Sequence, residues 1–351
     1  MSEIDPSTYG STRNHINGSV TYLSPYISRG VISTRQVLKS VLSRGYPAQE
    51  IEKFIQELAW RDYFQRVWQA KGNAITEDIK QPQPDVIHHQ MIEAVSNGYT
   101  GIEAVDAHLK QFYETGYLHN HVRMYIASMV CNIGKAHWRT PSQWMYYHLL
   151  DGDLASNNCS WQWVAGAFSS KKYYANQENI NKYMFSSQRN TFLDVSYEEL
   201  PTLPVPEKLK NTIDLTLSTT LPVLPSPVLY PNLPTLIYNS YNLDPTWRQT
   251  EKANRILLLE PTHFKRYPIS PVVLQFILDV SKNISEIQYL VGEIDDVIKH
   301  VSQDSIVSKE HPAFRHYPGK KDERDWLFPH LQGYYPSFSA FWRKGNPQSY
   351  W

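Results

Sequence analysis

The sequence predicts a helical domain over residues 1–195, a proline-rich extended stretch over 196–250, and a small α/β unit over 251–351. Apolar residues recur at helical spacing through much of the first part. Prolines crowd the segments LPTLPVPEKLK and LPVLPSPVLYPNLPTL, which favours an extended chain over helix. From Arg255 onward short apolar runs alternate with helical patterns, the signature of a parallel sheet with crossover helices. A chain of 351 residues is long enough for two domains and a sizeable core.

Composition narrows the function classes. Lys+Arg and Asp+Glu balance at 34 each, so no global basic field recruits nucleic acid, and any DNA contact has to come from a local patch. Ten Trp and 24 Tyr suit stacking, electron relays or a heavy core. Cys131 and Cys159 are too few for a disulfide framework or a four-cysteine iron–sulfur site, and no metal site is expected. The start MSEIDPSTYG has no basic or apolar leader pattern, and no apolar run reaches the roughly 18 residues of a membrane span. The expectation is a cytoplasmic protein with no membrane segment.

The elements follow in order. Residues 1–34 read as an irregular entry, with TYLSPYISRGVISTRQVL running into a helix capped by Ser33 or Thr34. Hydroxyls and backbone N–H groups at such an entry can hold an anion. From Pro47 to Ala70 the pattern is strongly helical, and Glu57, Trp60 and Arg61 fall on one face of that helix. By themselves they read first as an i,i+4 ion pair beside a core tryptophan. KQPQPD is a loop, and Gly116 separates two further helices. Thr140, Pro141 and Gln143 open the next helix as cap, first-turn proline and capping-box partner. That helix is expected to carry Asp151 and Asp153 at its C-terminal side, where negative charge opposes the dipole and calls for a donating partner.

The segment DGDLASNNCSWQW, Asp151 to Trp163, sets carboxylates and amides among aromatics, and such groups are costly to bury without polar partners. Later, RILLLEP, IQYLVGE and DSIVSKE read as strands, and SPVVLQFILDVSKN and DDVIKHV as helices. The sequence has no G-x-G-x-x-G. The aromatic tail DWLFPHLQGYYPSFSAFWRKGNPQSYW is expected to pack on the helical domain or to line a partner site.

Several of these segments resemble the photolyase/cryptochrome family. DGDLASNNCSWQW resembles its flavin-contacting segment, QELAWRDYF its E-L-x-W-R-E-F helix, and GYLHNHVRM its W-M-H-N-R-x-R-M box. The resemblance spans residues 9–185 and implies a photolyase-like α-helical FAD-binding domain joined to a small C-terminal α/β unit. It implies FAD as cofactor. Thr21, Leu23 and Ser24 would lie at the pyrophosphate, with Val20 in place of an expected hydroxyl, and Tyr9 and Arg13 match a cofactor-binding Tyr and basic residue four apart. Arg123, Asp151, Asp153 and Asn157 would lie at the flavin ring, with Arg123 pairing Asp151.

The lesion-contacting set implied is Glu57, Trp60, Asn120, Met124 and Trp163, with Arg61 and His121 on the DNA side. His121 stands where the family has arginine. Trp161 and Trp138 match two members of the electron relay, while the place of the third is a polar stretch near Asp85. The family's α/β antenna domain comes before its flavin domain. Here the α/β stretch follows, and it resembles only the later part of that domain, which implies a rearranged and shortened version whose pigment stays open. The activity implied is light-driven repair of cyclobutane pyrimidine dimers in DNA by a monomer, through electron transfer from reduced flavin. A cryptochrome-like photoreceptor without repair is the alternative.

Overall fold

A computed structural model describes residues 1–345. The first part is helical: α1 (Pro6–Thr12), α2 (Ser24–Ser28), α3 (Thr34–Leu42) and the long α4 (Glu52–Lys71). The strand β1 (Met91–Ile92) and α5 (Glu93–Ser96) lead to α6 (Glu103–Thr115), α7 (Asn120–Ala127), α8 (Arg139–His148), α9 (Leu154–Ala165) and α10 (Gln177–Met184). Ser33 caps α3 through a capping box with Gln36, because its hydroxyl accepts the Gln36 N–H while the Gln36 side chain accepts the Ser33 N–H. Gly116 ends α6 in the left-handed region at φ +68, where a side chain would also strike Leu150.

The helix opened near Thr140 starts at Arg139 and stops at His148, so neither Asp151 nor Asp153 lies in it. Leu149 turns extended, and Asp153 becomes the N-cap of α9, its carboxylate accepting the Ser156 N–H at 2.8 Å. The expected conflict with a helix C-terminus is therefore reversed. A short carboxylate is more stable as a cap than within a helix, and here it meets the favourable end of the dipole.

In the second part the short β2 (Thr212–Ile213) pairs antiparallel with β1 and ties the start of the extended stretch to the helical part. The stretch read as a linker over 196–250 also contains β3 (Thr235–Tyr238), the middle strand of the sheet. Four fully buried residues between proline and asparagine carry no alternation to announce a strand. β4 (Asn254–Leu259), α11 (Pro261–Arg266), α12 (Pro271–Ser281), β5 (Ile287–Val291), α13 (Ile294–Ile298), β6 (Ile306–Lys309), β7 (Lys320–Asp322) and α14 (Phe338–Gly345) complete the order. The strands of the five-stranded sheet are all parallel, in the order β5-β4-β3-β6-β7. The chain winds outward from β3 to β5 and then crosses to β6, which puts a switch point between β3 and β6.

The carboxyl ends of the sheet pack on the helical part, and the two share one core. Val37, Phe54, Tyr63 and Trp68 belong to the same buried cluster as Leu236, Ile256 and Phe314, whereas residues of α6 to α9 join a second cluster that includes Phe112, Tyr125, Trp138 and Trp161. Gly30, at φ +64, lies so close to the Tyr241 carbonyl that a Cβ would stand 2.3 Å from it. The tail packs on the helical part through α14, and its last six residues, 346–351, lie outside the described residues. Among the described residues no helix is long and apolar enough to cross a membrane, and no group of three or more His, Cys, Asp or Glu is placed to hold a metal.

Candidate functional site

The DGD turn and the two helices that flank it organise the site. Asp151, Asp153, Asn157 and Trp161 line a cleft of about 620 Å³ together with Arg123, Asn120 and Met124 from α7 and Arg61 from α4. Met145, Leu149 and Val164 supply apolar wall. The Arg123 Nη2 sits 3.0 Å from both carboxylate oxygens of Asp151, and its Nε donates to the Leu118 carbonyl at 2.8 Å. Burial by itself would raise the Asp151 pKa, but Arg123, the Ser24 hydroxyl and Arg61 outweigh it and hold the carboxyl below its ordinary value. Asp151 is therefore an ionised acceptor.

The remaining polar groups are held in place. Gln65 donates to Asp153 Oδ1 at 2.6 Å, and the Ser156 N–H and hydroxyl bond to Oδ2. The Asn157 Nδ2 donates to the Ser142 carbonyl at 2.9 Å, and no donor among the described residues meets its Oδ1. The amide is thereby oriented as an acceptor. Two carboxylates, two arginines, one free amide oxygen and apolar walls suit a planar ring that carries both N–H and carbonyl groups. A flavin ring has that pattern, so the residues present fit the cofactor.

The Thr21–Ser24 segment reaches the cleft through α2. The Ser28 hydroxyl donates to the Asp151 carbonyl at 2.7 Å, and Arg29 Nε to the Leu150 carbonyl at 3.0 Å. Thr21 Oγ1 accepts the Leu23 N–H at 3.3 Å, a local turn bond. Ser28, Arg29 and Gln65 were not singled out from the sequence. Gln65 was the accessible one, since it lies four residues after Arg61 on the same helix face.

Glu57 pairs with Arg13 at 3.2 Å across elements and not with Arg61 along its helix. Burial raises the Glu57 pKa, and the Arg13 charge and hydrogen bond pull it back. Tyr9 packs edge-on against Phe54 one turn before Glu57. The Asn120 Nδ2 faces the Met124 sulfur at 3.8 Å.

Three expected roles meet a different environment. Phe338 of α14 lies flat on Trp60, with ring centroids 3.8 Å apart and an interplanar angle of 8°, so the stacking face expected for a pyrimidine pair is covered by the chain's own tail. His121, expected on the DNA side, is 9% exposed and stacks on Tyr183 at 4.7 Å. Burial, with His15 and Arg13 nearby, pushes its pKa down to about 4, so at neutral pH it is an uncharged core residue. Trp163 is 40% exposed beside Tyr173 and does not line the cleft. Trp161 does line it, and Trp138 is fully buried in the same apolar cluster.

A second cavity, of about 720 Å³, lies where the switch point of the sheet meets α3 and α4. Arg61 and Asp153 line both cavities. Here Asn242 Nδ2 and Oδ1 and Arg324 Nη2 are buried without hydrogen-bond partners among the described residues.

Residues 54–191 match the family model described as the FAD binding domain of DNA photolyase. Over that stretch the chain is similar to the photolyase/cryptochrome family. Its helical part is an FAD-binding domain, and FAD is the cofactor that the cleft fits. The deoxyribodipyrimidine photo-lyases of Synechococcus sp. and Streptomyces griseus are 34% and 33% identical to the chain over 154 and 146 residues. Those alignments cover 41% of this chain and 32% and 31% of the two relatives, so the chain spans about a third of the length of these curated photolyases. Among solved structures, a cryptochrome of Synechocystis sp. aligns over 58% of this chain and 44% of its own, at 25% identity and a TM-score of 0.46. A bacterial class III photolyase of Agrobacterium tumefaciens aligns over 46% and 35%, at 29% identity and a TM-score of 0.41.

Proposed function

We propose that this protein repairs cyclobutane pyrimidine dimers in DNA, using light and FAD held in the cleft. One observation carries the reading. Asn120 and Met124, expected on the lesion side, line the same cavity as Asp151, Asp153 and Asn157, expected on the flavin side, so lesion and cofactor would share one site. Bound reduced FAD supplies the light-excited electron that splits the cyclobutane ring.

The residues divide the remaining work. Asp151 accepts hydrogen bonds as a carboxylate, and Arg123 keeps it ionised while lending positive charge to a reduced ring. Asn157 Oδ1 accepts from a ring N–H. Thr21, Leu23 and Ser24 would hold the phosphates, and Tyr9 and Arg13 would also contact the cofactor. Glu57, kept partly desolvated and oriented by Arg13, bonds the edge of the pyrimidine pair, as does the Asn120 amide. Arg61, which lines both cavities, is the cation left for the DNA side. Extruding the lesion from the duplex costs a few kcal/mol, less for a pair that already stacks poorly. The interdomain cavity, with its unpartnered Asn242 and Arg324 groups, would take a second, polar chromophore.

A photoreceptor that binds FAD without repair is the second reading. The Phe338–Trp60 stack favours it, because it fills the place of a substrate with a segment of the chain. The deciding experiment uses FAD-loaded, chemically reduced protein and an oligonucleotide with one thymine dimer, under blue light and in the dark. Light-dependent recovery of thymines, abolished in Glu57→Ala, supports repair. No recovery from a yellow, photoreducible preparation rules repair out and leaves the photoreceptor.

A further inference from the structure

We propose that Asp78 takes up the indole proton of Trp138 when that tryptophan is oxidised, which makes Trp138 the terminal electron donor within the protein. The inference rests on the FAD-binding reading above and on the sequence expectation that Trp161 and Trp138 relay electrons to the flavin cleft.

Trp138 is 0% exposed, and its one polar atom, Nε1, donates to Asp78 Oδ1 at 2.6 Å, a short charge-assisted bond. A closed ring of bonds sets this geometry. The Trp138 N–H donates to Gln83 Oε1 at 2.8 Å, and the Gln83 N–H donates to Asp78 Oδ2 at 2.9 Å. The same Oδ1 lies 3.3 Å from His137 Nε2, and the His137 ring stacks on His89 at 4.8 Å. The Asp78 and His137 side chains are 22% and 15% exposed, so a proton that reaches Asp78 has a polar way out.

A buried indole N–H needs an acceptor, and a carbonyl or hydroxyl would satisfy it. A carboxylate adds what those lack, because it is a base held on the proton of a group that becomes strongly acidic on losing an electron. The balance is simple. Trp138 passes one electron to the oxidised Trp161 indole, whose own electron went to the light-excited oxidised flavin. The Trp138 Nε1 proton passes to Asp78 Oδ1. A neutral indolyl radical and a neutral carboxylic acid remain. Return of the electron then requires return of the proton, so charge separation outlasts a purely electronic relay, and no further aromatic is needed at the polar stretch near Asp85.

The test is transient absorption and infrared difference spectroscopy on FAD-loaded protein after a laser pulse. The expected wild-type result is a tryptophanyl radical that converts from cationic to neutral form, more slowly in D2O, together with a new carboxylic C=O band. Asp78→Asn keeps a hydrogen-bond acceptor but cannot take the proton. Its radical should stay cationic, recombine about tenfold faster and show no such band. A wild-type radical that stays cationic, or that turns neutral without a carboxylic band, overturns the proposal whatever the variant does. A neutral radical of equal lifetime in Asp78→Asn overturns it as well. Failure of the relay itself looks different, since FAD-loaded protein would then give no tryptophan radical, or give it undiminished in Trp161→Phe.

Discussion

Replacing Asp62 by asparagine should stabilise the protein at neutral pH and change nothing in acid. Asp62 lies one residue after Arg61 on α4, buried, with its carboxylate accepting the Leu327 N–H at 2.6 Å and the Thr34 hydroxyl at 2.9 Å. Burial pushes its pKa up from 3.8 to about 6, although both bonds and the Arg324 and Arg66 charges pull the other way. An acid with a raised folded pKa binds its proton more tightly when folded. Stability is therefore highest below about pH 4, falls as pH rises to about 6 and is level above that. A shift of about two units at about 1.4 kcal/mol each amounts to about 3 kcal/mol.

Asparagine removes the charge and keeps both contacts, its Oδ1 for Leu327 N–H and its Nδ2 for the Thr34 oxygen once that hydroxyl turns. With unfolding entropy near 2.1 cal/mol/K per residue, 351 residues put 3 kcal/mol at about 4 °C in Tm. Calorimetry of both proteins at pH 4, 6 and 8 reads this directly. Parallel pH profiles, or a variant less stable at pH 8, would show that the two accepted bonds outweigh desolvation and refute the reasoning. The costly acid also lines the interdomain cavity and ties α3 to the segment after β7, a reason to retain it.

Other outcomes follow from the same geometry. Asp151→Asn leaves Arg123 half-buried without its carboxylate and should cost about 3 kcal/mol at pH 7, with loss of bound FAD seen in the visible spectrum. Since the Asp151 pKa is held below 3.8, the pair's contribution is complete above that pH and fades as pH falls further, so wild type and variant should converge in stronger acid. Phe338→Ala removes a stack of about 0.5–1.5 kcal/mol from Trp60 and should tighten binding of a dimer-bearing oligonucleotide two- to tenfold, roughly, by titration. Unchanged or weaker binding would mean that Trp60 takes no base. Cys131 and Cys159 are buried with thiol pKa values raised by burial, so neither should label with a thiol reagent until denaturant is added.

Local pattern was enough for much of the fold. The 3.6-residue rhythm of Phe54, Ile55, Leu58 and Ala59 announced α4, and the runs RILLLEP, IQYLVGE and DSIVSKE announced three strands of the sheet. The DGDLASNNCSWQW segment pointed to the cleft because carboxylates and amides among aromatics need partners, and Asp151 and Asn157 line it. Where two local readings compete, pattern is silent. A DGD turn can close one helix or cap the next, and only the backbone at Leu149 and Asp153 decides. The strand Thr235–Tyr238 shows no alternation, because a central strand is covered on both faces.

What the sequence determined by itself is therefore the set of elements and the chemical groups they carry: helices from periodicity, strands from apolar runs, and a polar string that suits a flavin. Tertiary structure alone decided which groups meet. It joined Arg13 to Glu57 across 44 residues, laid Phe338 on Trp60, buried His121 against Tyr183 and set Asp78 on the Trp138 indole. Periodicity is a property of neighbours a few residues apart. Pairing, desolvation and charge depend on whatever the folded chain brings within a few ångströms, and no local pattern encodes that.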